Sequence, residues 1–170
     1  MDLVASPSQT IGPFFHCYFA AYGTLPNVAG PHATGERIGL AFRVLDGDGA
    51  PLNDAMLELW QADVCGFGRL PTDEQGACLF DSVKPGCVAP QAPHINVVLF
   101  ARGLLRHLYT RIYFADETAA NGSDPLLAAI DDDGVRRTLL AERLPGVREP
   151  PVYRFDVVMQ CENETAFLDI

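Results

Sequence analysis

A histidine, an asparagine and an arginine stand at even spacing along one apolar stretch of the chain, as His94, Asn96 and Arg102. Side chains alternate along a β-strand, so a regular strand here presents all three to one face. An arginine beside apolar and aromatic side chains can grip a carboxylate through two charge-assisted hydrogen bonds. The pattern alone favours the plainer interpretation, a surface salt bridge between Arg102 and one of the many acidic residues.

His94 and Asn96 are a poor beginning for a metal site. The neutral amide oxygen of asparagine does not replace an imidazole as a ligand for iron, copper or zinc. The other histidines, His16, His32 and His107, lie at no ligand spacing from His94. The five cysteines include no Cys-x-x-Cys pair, which favours small buried hydrophobic residues in a reducing compartment. The residues by themselves therefore predict no metal site in this chain.

The charge of the chain limits its partners. Lys and Arg total 12 against 22 Asp and Glu, a net charge of −10 that weighs against nucleic acid but not against a small anionic ligand held by an arginine. No apolar run is long enough for a membrane helix, and the N-terminus lacks the basic start of a signal peptide. We therefore expect a cytoplasmic protein.

Chain-breaking residues crowd the beginning of the sequence, and strand signals follow. The 170 residues suit one domain, and glycines and prolines in the first part predict an extended arm over 1–35 before a β-sandwich domain over 36–170. Alternating apolar residues between turn signals predict strands at 37–46, 55–63, 77–83, 94–102, 107–114, 152–160 and 165–170. The fourth and fifth of these strands are expected to pair antiparallel through the turn at Gly103.

One or two short helices are expected late in the chain. Asp124 is placed to cap a helix through Ile130, and Asp133 to cap another through Arg143, before Pro145. Short strands separated by turns favour an all-β, antiparallel β-sandwich over a parallel α/β sheet.

Four segments, in this order, resemble motifs of the intradiol ring-cleaving dioxygenases. They are SQTIGPF at 8–14, LELWQAD at 57–63, VKPG at 83–86 and PHINVVLFARG at 93–103. The resemblance implies the β-sandwich of that family, which uses non-haem iron(III) held by two tyrosines and two histidines. At the corresponding positions this chain has Phe67 within Gly66-Phe67-Gly68, then Val88, His94 and Asn96. Neither Phe nor Val supplies a phenolate, so the chain is not expected to hold iron or to carry catalytic residues.

The resemblance is to the iron-free chain of hetero-oligomeric members, in which a homologous β chain carries the Fe(III). It implies an active site between the two chains, with this chain's arm over 1–35 contacting its partner. Thr10, Gly12, Pro13 and Arg102 are then expected to border the substrate. The implied reaction inserts O₂ into 3,4-dihydroxybenzoate and gives 3-carboxy-cis,cis-muconate. Phe14 stands where the family has a tyrosine, so any hydroxyl contact from that position is absent.

Two other interpretations stay open at this stage. The chain could be a stand-alone ligand-binding β-sandwich without catalytic activity, stable without a partner and without a large exposed apolar patch. It could also be a metalloenzyme with unrecognised ligands, which the residues favour least. A pull-down against an iron-bearing homologue distinguishes the stand-alone module, which would not bind the homologue, from a subunit, which would.

Overall fold

The computed structural model describes residues 23–146 and 149–169. Eight strands within them form one sheet in the order β3-β2-β5-β6-β7-β8-β1-β4. The strands are β1 (Arg37–Leu45), β2 (Ala55–Gln61), β3 (Gly66–Pro71), β4 (Ala77–Val83), β5 (His94–Ala101), β6 (Leu108–Phe114), β7 (Leu140–Arg143) and β8 (Val152–Val158).

The sheet folds into two layers that share an apolar core. Strands β3, β2, β5 and β6 form one layer and β8, β1 and β4 the other, and β7 pairs with both, parallel to β6 and antiparallel to β8. Most other neighbours are antiparallel, with β1 and β8 parallel. Inward side chains of both layers, such as Leu40, Leu57, Leu99 and Phe155, pack into one core. The predicted β-sandwich is therefore confirmed, as is the antiparallel pairing of β5 with β6.

The described end of the predicted arm lies between the two end strands of the sheet. Leu25 forms a β-bridge with Arg69 of β3, and Asn27 forms one with Asp81 of β4. Val28 is buried, and a Cβ at Gly68 would come within 2.7 Å of its side chain, so β3 needs glycine there to let this segment approach. Residues 1–22 lie outside the described part, and contact of the arm with a partner stays a prediction.

The described residues form three helices, each about one turn long, where the sequence predicts one or two: α1 (Thr118–Asn121), α2 (Pro125–Ala128) and α3 (Asp133–Arg137). Asp124 caps α2 as predicted, but the helix ends at Ala128 and does not reach Ile130. The helix predicted from Asp133 through Arg143 is wrong at both ends, since Asp132 is the cap and the residues after α3 form β7, where pairing with two neighbouring strands outweighs local helix propensity. None of the described helices is long and apolar enough to span a membrane.

The strands differ from the prediction in two places. The sequence predicts no strand at β3, because the glycines within it resemble a turn. The predicted strand over 165–170 makes an isolated bridge between Tyr109 and Leu168 rather than a ladder.

Candidate functional site

Arg102 lies directly after β5, in the turn that leads toward β6. Leu104 N–H donates to the Ala101 carbonyl across this turn at 3.4 Å, and Gly103 has a φ of +85°, a left-handed value that favours glycine. Because β5 ends at Ala101, the turn rather than the strand's alternation sets the direction of the Arg102 side chain.

Arg102 is held by an ion pair with Asp54. Its Nε–H donates to Oδ2 of Asp54, and the Arg102 side chain is 54% exposed against 19% for Asp54. The pairing follows from register: Ala55 lies opposite Ala101 in the antiparallel β2–β5 pair, so Asp54 and Arg102 are the next cross-strand neighbours. The salt bridge that the sequence pattern favoured is therefore present. It leaves much of the guanidinium accessible.

A cleft of about 590 Å³ opens beside Arg102. Leu104 and Phe167 contribute apolar lining, whereas Asp46, Asp54 and Glu164 contribute carboxylates. This concentration of negative charge opposes the entry of an anion. A carboxylate ligand is therefore expected on the exposed side of Arg102 and not inside this cleft.

The outer face of the β3-β2-β5-β6 layer carries a row of cross-strand neighbours: Phe67, Trp60, Asn96 and Arg111. The Trp60 side chain is 50% exposed, and its ring centroid lies 4.5 Å from that of Phe67. The short turn 62–65 joins β2 directly to β3 and brings the two rings together. The pair includes Phe67 of the stretch Gly66-Phe67-Gly68, in which the resemblance expects a tyrosine ligand and this chain has none.

The residues that the resemblance aligns with the metal ligands do not fit iron(III). Oδ1 of Asn96 accepts a hydrogen bond from Nε of Arg111 at 3.0 Å, so a guanidinium cation already lies against this oxygen and opposes a second cation. Phe67 and Val88 offer no donor atom. Among the described residues, no group of three or more His, Cys, Asp or Glu side chains is arranged to hold a metal ion.

His94 is engaged in a structural hydrogen bond. Its Nδ1–H donates to the Ala92 carbonyl at 2.7 Å. Burial lowers the pKa of His94 and outweighs this hydrogen bond, which acts to raise it, while the charge of Arg111 lowers the pKa further. The imidazole is therefore neutral at pH 7.

A buried carboxylate lies on this same face, next to Tyr113, which follows Arg111 by two residues in β6. Asp124, 0% exposed, accepts hydrogen bonds from Ala92 N at 2.8 Å, from the Tyr113 hydroxyl at 3.1 Å, and from two backbone N–H groups of α2. Burial raises the pKa of Tyr113 to about 12, so its hydroxyl stays a donor. This network ties β6, α2 and the segment before β5 together beside Arg111, whose Nη1 donates to the Tyr113 hydroxyl at 3.4 Å.

Two of the family motifs hold each other in place. In the first, Gln61 donates from Nε2 to the Val83 carbonyl at 3.1 Å and accepts from the Ser82 hydroxyl at 2.6 Å. Asp63 accepts from the backbone N–H of Gly86 at 2.8 Å. The Trp-Gln-Ala-Asp segment is thus fastened to the Lys-Pro-Gly turn, and these motif residues have structural roles.

Replacement of Gln61 by leucine is expected to lower the free energy of unfolding by about 2–3 kcal/mol, because it leaves buried polar groups without a partner. Gln61 is 1% exposed and Ser82 is fully buried. The measurement is urea denaturation. A double variant, Gln61→Leu with Ser82→Ala, removes one of the stranded groups and should recover part of the loss; strictly additive losses would contradict this account.

One polar cluster has no signal in the sequence. Nζ of Lys84 lies 2.9 Å from Asp116 and 2.7 Å from Glu117, and it stands over the ring of Tyr153. Burial acts to lower the pKa of Lys84, but hydrogen bonds to Glu117 and Asp116 outweigh it and raise the pKa above its ordinary value. Lys84 is too far along the chain from Asp116, Glu117 and Tyr153 for the sequence pattern to predict that they meet.

Thr10, Gly12 and Pro13, the other residues expected to border a substrate, lie outside the described part of the chain. Their role stays a prediction.

No protein-family model matches the chain. It is 41% identical to the protocatechuate 3,4-dioxygenase alpha chain of Burkholderia cepacia over an alignment of 202 positions, which covers 99% of this chain and 98% of that one. The alpha chain of Pseudomonas putida is also 41% identical, over 98% of this chain and 97% of its own length. The chain belongs to the protocatechuate 3,4-dioxygenase alpha-chain family. The protocatechuate 3,4-dioxygenase beta chain of Burkholderia cepacia is 27% identical and covers 77% of this alpha-chain homologue and 67% of its own length.

Solved structures agree with this placement at the level of the fold. An intradiol ring-cleavage dioxygenase from Tetranychus urticae matches the alpha-chain homologue with a TM-score of 0.67 and 16% identity, covering 92% of this chain and 94% of that one. The dioxygenase domain of a carbohydrate-binding fusion protein from Streptomyces sp. SirexAA-E matches with a TM-score of 0.63 and 22% identity, over 94% and 98%. The β-sandwich is therefore of the intradiol dioxygenase type.

Proposed function

We propose that this chain is the iron-free alpha subunit of a protocatechuate 3,4-dioxygenase, and that it completes the substrate pocket of an iron-bearing beta chain. The observation that carries the proposal is the 41% identity to two alpha chains over nearly the full length. The reaction of the complex is cleavage of 3,4-dihydroxybenzoate by O₂ to 3-carboxy-cis,cis-muconate. The Fe(III) of the partner supplies the activation of the catechol ring toward O₂.

The substituted ligand positions support assignment of the metal to the partner. A site without phenolates, with the Arg111 cation against Asn96, favours neither iron(III) nor another cation. This chain's own contribution is then to bind and orient the substrate and to exclude water from the pocket.

Arg102 is the residue of this chain that we assign to the substrate carboxylate. It is exposed, it is the arginine of the Phe-Ala-Arg-Gly motif of the resemblance, and it lies at the rim of the sandwich. Thr10, Gly12 and Pro13 are proposed to lie against the substrate ring, with the arm 1–35 reaching the partner. Glycine and proline at those positions would let rigid backbone approach a flat ligand.

The similarity to a beta chain supports a homologous partner. A chain related to both subunits can form a pseudo-symmetric heterodimer in which equivalent surfaces meet. We propose an αβ unit, repeated in a larger cytoplasmic hetero-oligomer.

The test is expression with and without the partner. Alone, the chain should bind no stoichiometric iron and cleave no catechol; co-expressed with the beta chain of its own organism, it should yield a coloured, active complex. Metal analysis and oxygen uptake give the readout. An iron-loaded, active protein from this chain alone would contradict the proposal. A stable chain that fails to associate with any beta chain would instead favour a stand-alone binding module.

A further inference from the structure

We infer that Asp54 is a positioning residue that holds the Arg102 guanidinium with its two terminal nitrogens free for the carboxylate of the substrate. The inference rests on the proposed function, because the carboxylate belongs to a substrate bound in the partner's pocket. It adds a second residue of this chain to the recognition of that group.

The hydrogen bonding of Arg102 divides its guanidinium into two edges. Nε donates to Asp54, whereas Nη1 and Nη2 make no hydrogen bond to any residue within 23–146 and 149–169. A guanidinium is planar and presents its donors in a fixed fork, so fixing Nε also fixes the direction of the two terminal nitrogens. Two parallel N–H groups are the arrangement that binds a carboxylate most specifically.

The carboxylate of Asp54 is well placed to act as an anchor. Its side chain is 19% exposed, and the segment that carries it is pinned by the buried Thr72. The Thr72 hydroxyl donates to the Leu52 carbonyl at 2.7 Å and accepts from Ala55 N–H at 3.1 Å, so the backbone is held on both sides of Asp54. An unheld arginine side chain loses rotamer entropy on binding a ligand, and prior orientation reduces that loss.

Asp54 also carries a charge, which acts in the opposite direction. A carboxylate next to Arg102 repels the substrate carboxylate, as do Asp46 and Glu164 nearby. A test of positioning must therefore hold charge constant. Asp54→Asn and Asp54→Ala both remove the charge, but only asparagine keeps an oxygen that can accept from Nε of Arg102.

The experiment uses the co-expressed αβ complex and compares kcat/KM for 3,4-dihydroxybenzoate with that for catechol, which lacks the carboxylate. The ratio of the two should fall about five- to tenfold more in Asp54→Ala than in Asp54→Asn, mainly through KM for the carboxylated substrate. Asp133→Ala, which removes a carboxylate from an exposed salt bridge with Arg136, is the matched control and should leave the ratio unchanged. Equal ratios in the two Asp54 variants would overturn the inference.

A second variant keeps the inference testable if Asp54→Ala does not assemble. Arg102→Lys retains the positive charge but offers one nitrogen, which cannot serve Asp54 and a bidentate carboxylate in the arginine geometry. The ratio should fall about as far as in Arg102→Ala, and a preserved ratio would overturn the inference. If Arg102→Ala itself leaves the ratio unchanged, the proposed role of Arg102 fails, whereas a fall there without an Asp54 effect rejects only the positioning.

Discussion

Asp124→Ala is expected to lower the free energy of unfolding by about 3–5 kcal/mol, the range typical of removing one partner from a buried charged network. The side chain is 0% exposed and accepts hydrogen bonds from the backbone of Ala92, Leu126 and Leu127 and from the Tyr113 hydroxyl. Alanine leaves all of these donors without their acceptor. Urea denaturation of the purified chain, or of the complex if the chain needs its partner, measures the loss.

The matched control is Asp132→Ala. Asp132 caps α3 through the N–H groups of Gly134 and Val135, but it is exposed, and loss of such a cap costs about 1 kcal/mol. Similar losses in the two variants would show that Asp124 acts as a helix cap and no more. A larger loss of unfolding free energy in Asp124→Ala than in Asp132→Ala would show that Asp124 also stabilises the fold through its contacts with β6 and the Ala92 segment.

Asp124 also gives this stability a dependence on pH. Burial acts to raise its pKa, but hydrogen bonds from Leu127, Ala92 and Tyr113 outweigh burial, so the pKa lies below the ordinary value of 3.8. The unfolded chain therefore takes up this proton first as the pH falls, and the stabilisation is present above pH about 4 and lost as the pH drops through the folded pKa. Asp124→Asn should flatten the acid side of the stability curve relative to the unsubstituted chain.

Arg102→Ala in the αβ complex is expected to reduce kcat/KM for 3,4-dihydroxybenzoate by about 10- to 100-fold, because it removes the charge-assisted hydrogen bonds to the substrate carboxylate. Catechol should be affected far less, because it offers no carboxylate to this side chain. Steady-state oxygen uptake with both substrates measures the difference.

Arg43→Ala serves as the control for Arg102. Arg43 forms an exposed salt bridge with Asp156 and belongs to β1, in the other layer of the sandwich. Arg43→Ala should leave kcat/KM unchanged for both 3,4-dihydroxybenzoate and catechol. An equal loss for 3,4-dihydroxybenzoate and catechol in Arg102→Ala would show that this arginine does not bind the carboxylate, whatever its effect on assembly.

Local patterns predict much of this fold because the layers are built from half-buried strands. In β1, Ile38, Leu40, Phe42 and Val44 alternate toward the core, and turn residues follow at Asp46 and Gly47. Nothing distant is needed to place such a strand. The same holds for α2, where Asp124 and Pro125 mark the start of a helix in the sequence itself.

The missed strands depend on contacts that are distant in sequence. Gly68 interrupts the pattern of β3, and its reason is the approach of Val28 from another part of the chain. β7 continues an apolar run that also suits a helix, and pairing on both sides decides its conformation. In the candidate site, Arg102 could be singled out from its neighbours in sequence. Asp54 could not, because its place beside Arg102 depends on the pairing of β2 with β5.

Strand β7 acts as a seam between the halves of the molecule. It holds β6 through Leu140 and Ala141 and β8 through Glu142 and Arg143. Local unfolding of this short segment would separate the two layers at this edge and admit water to the core. A partner chain bound over β7 would make such local unfolding rarer, and the complex would then be more resistant to heat and denaturant than the isolated chains.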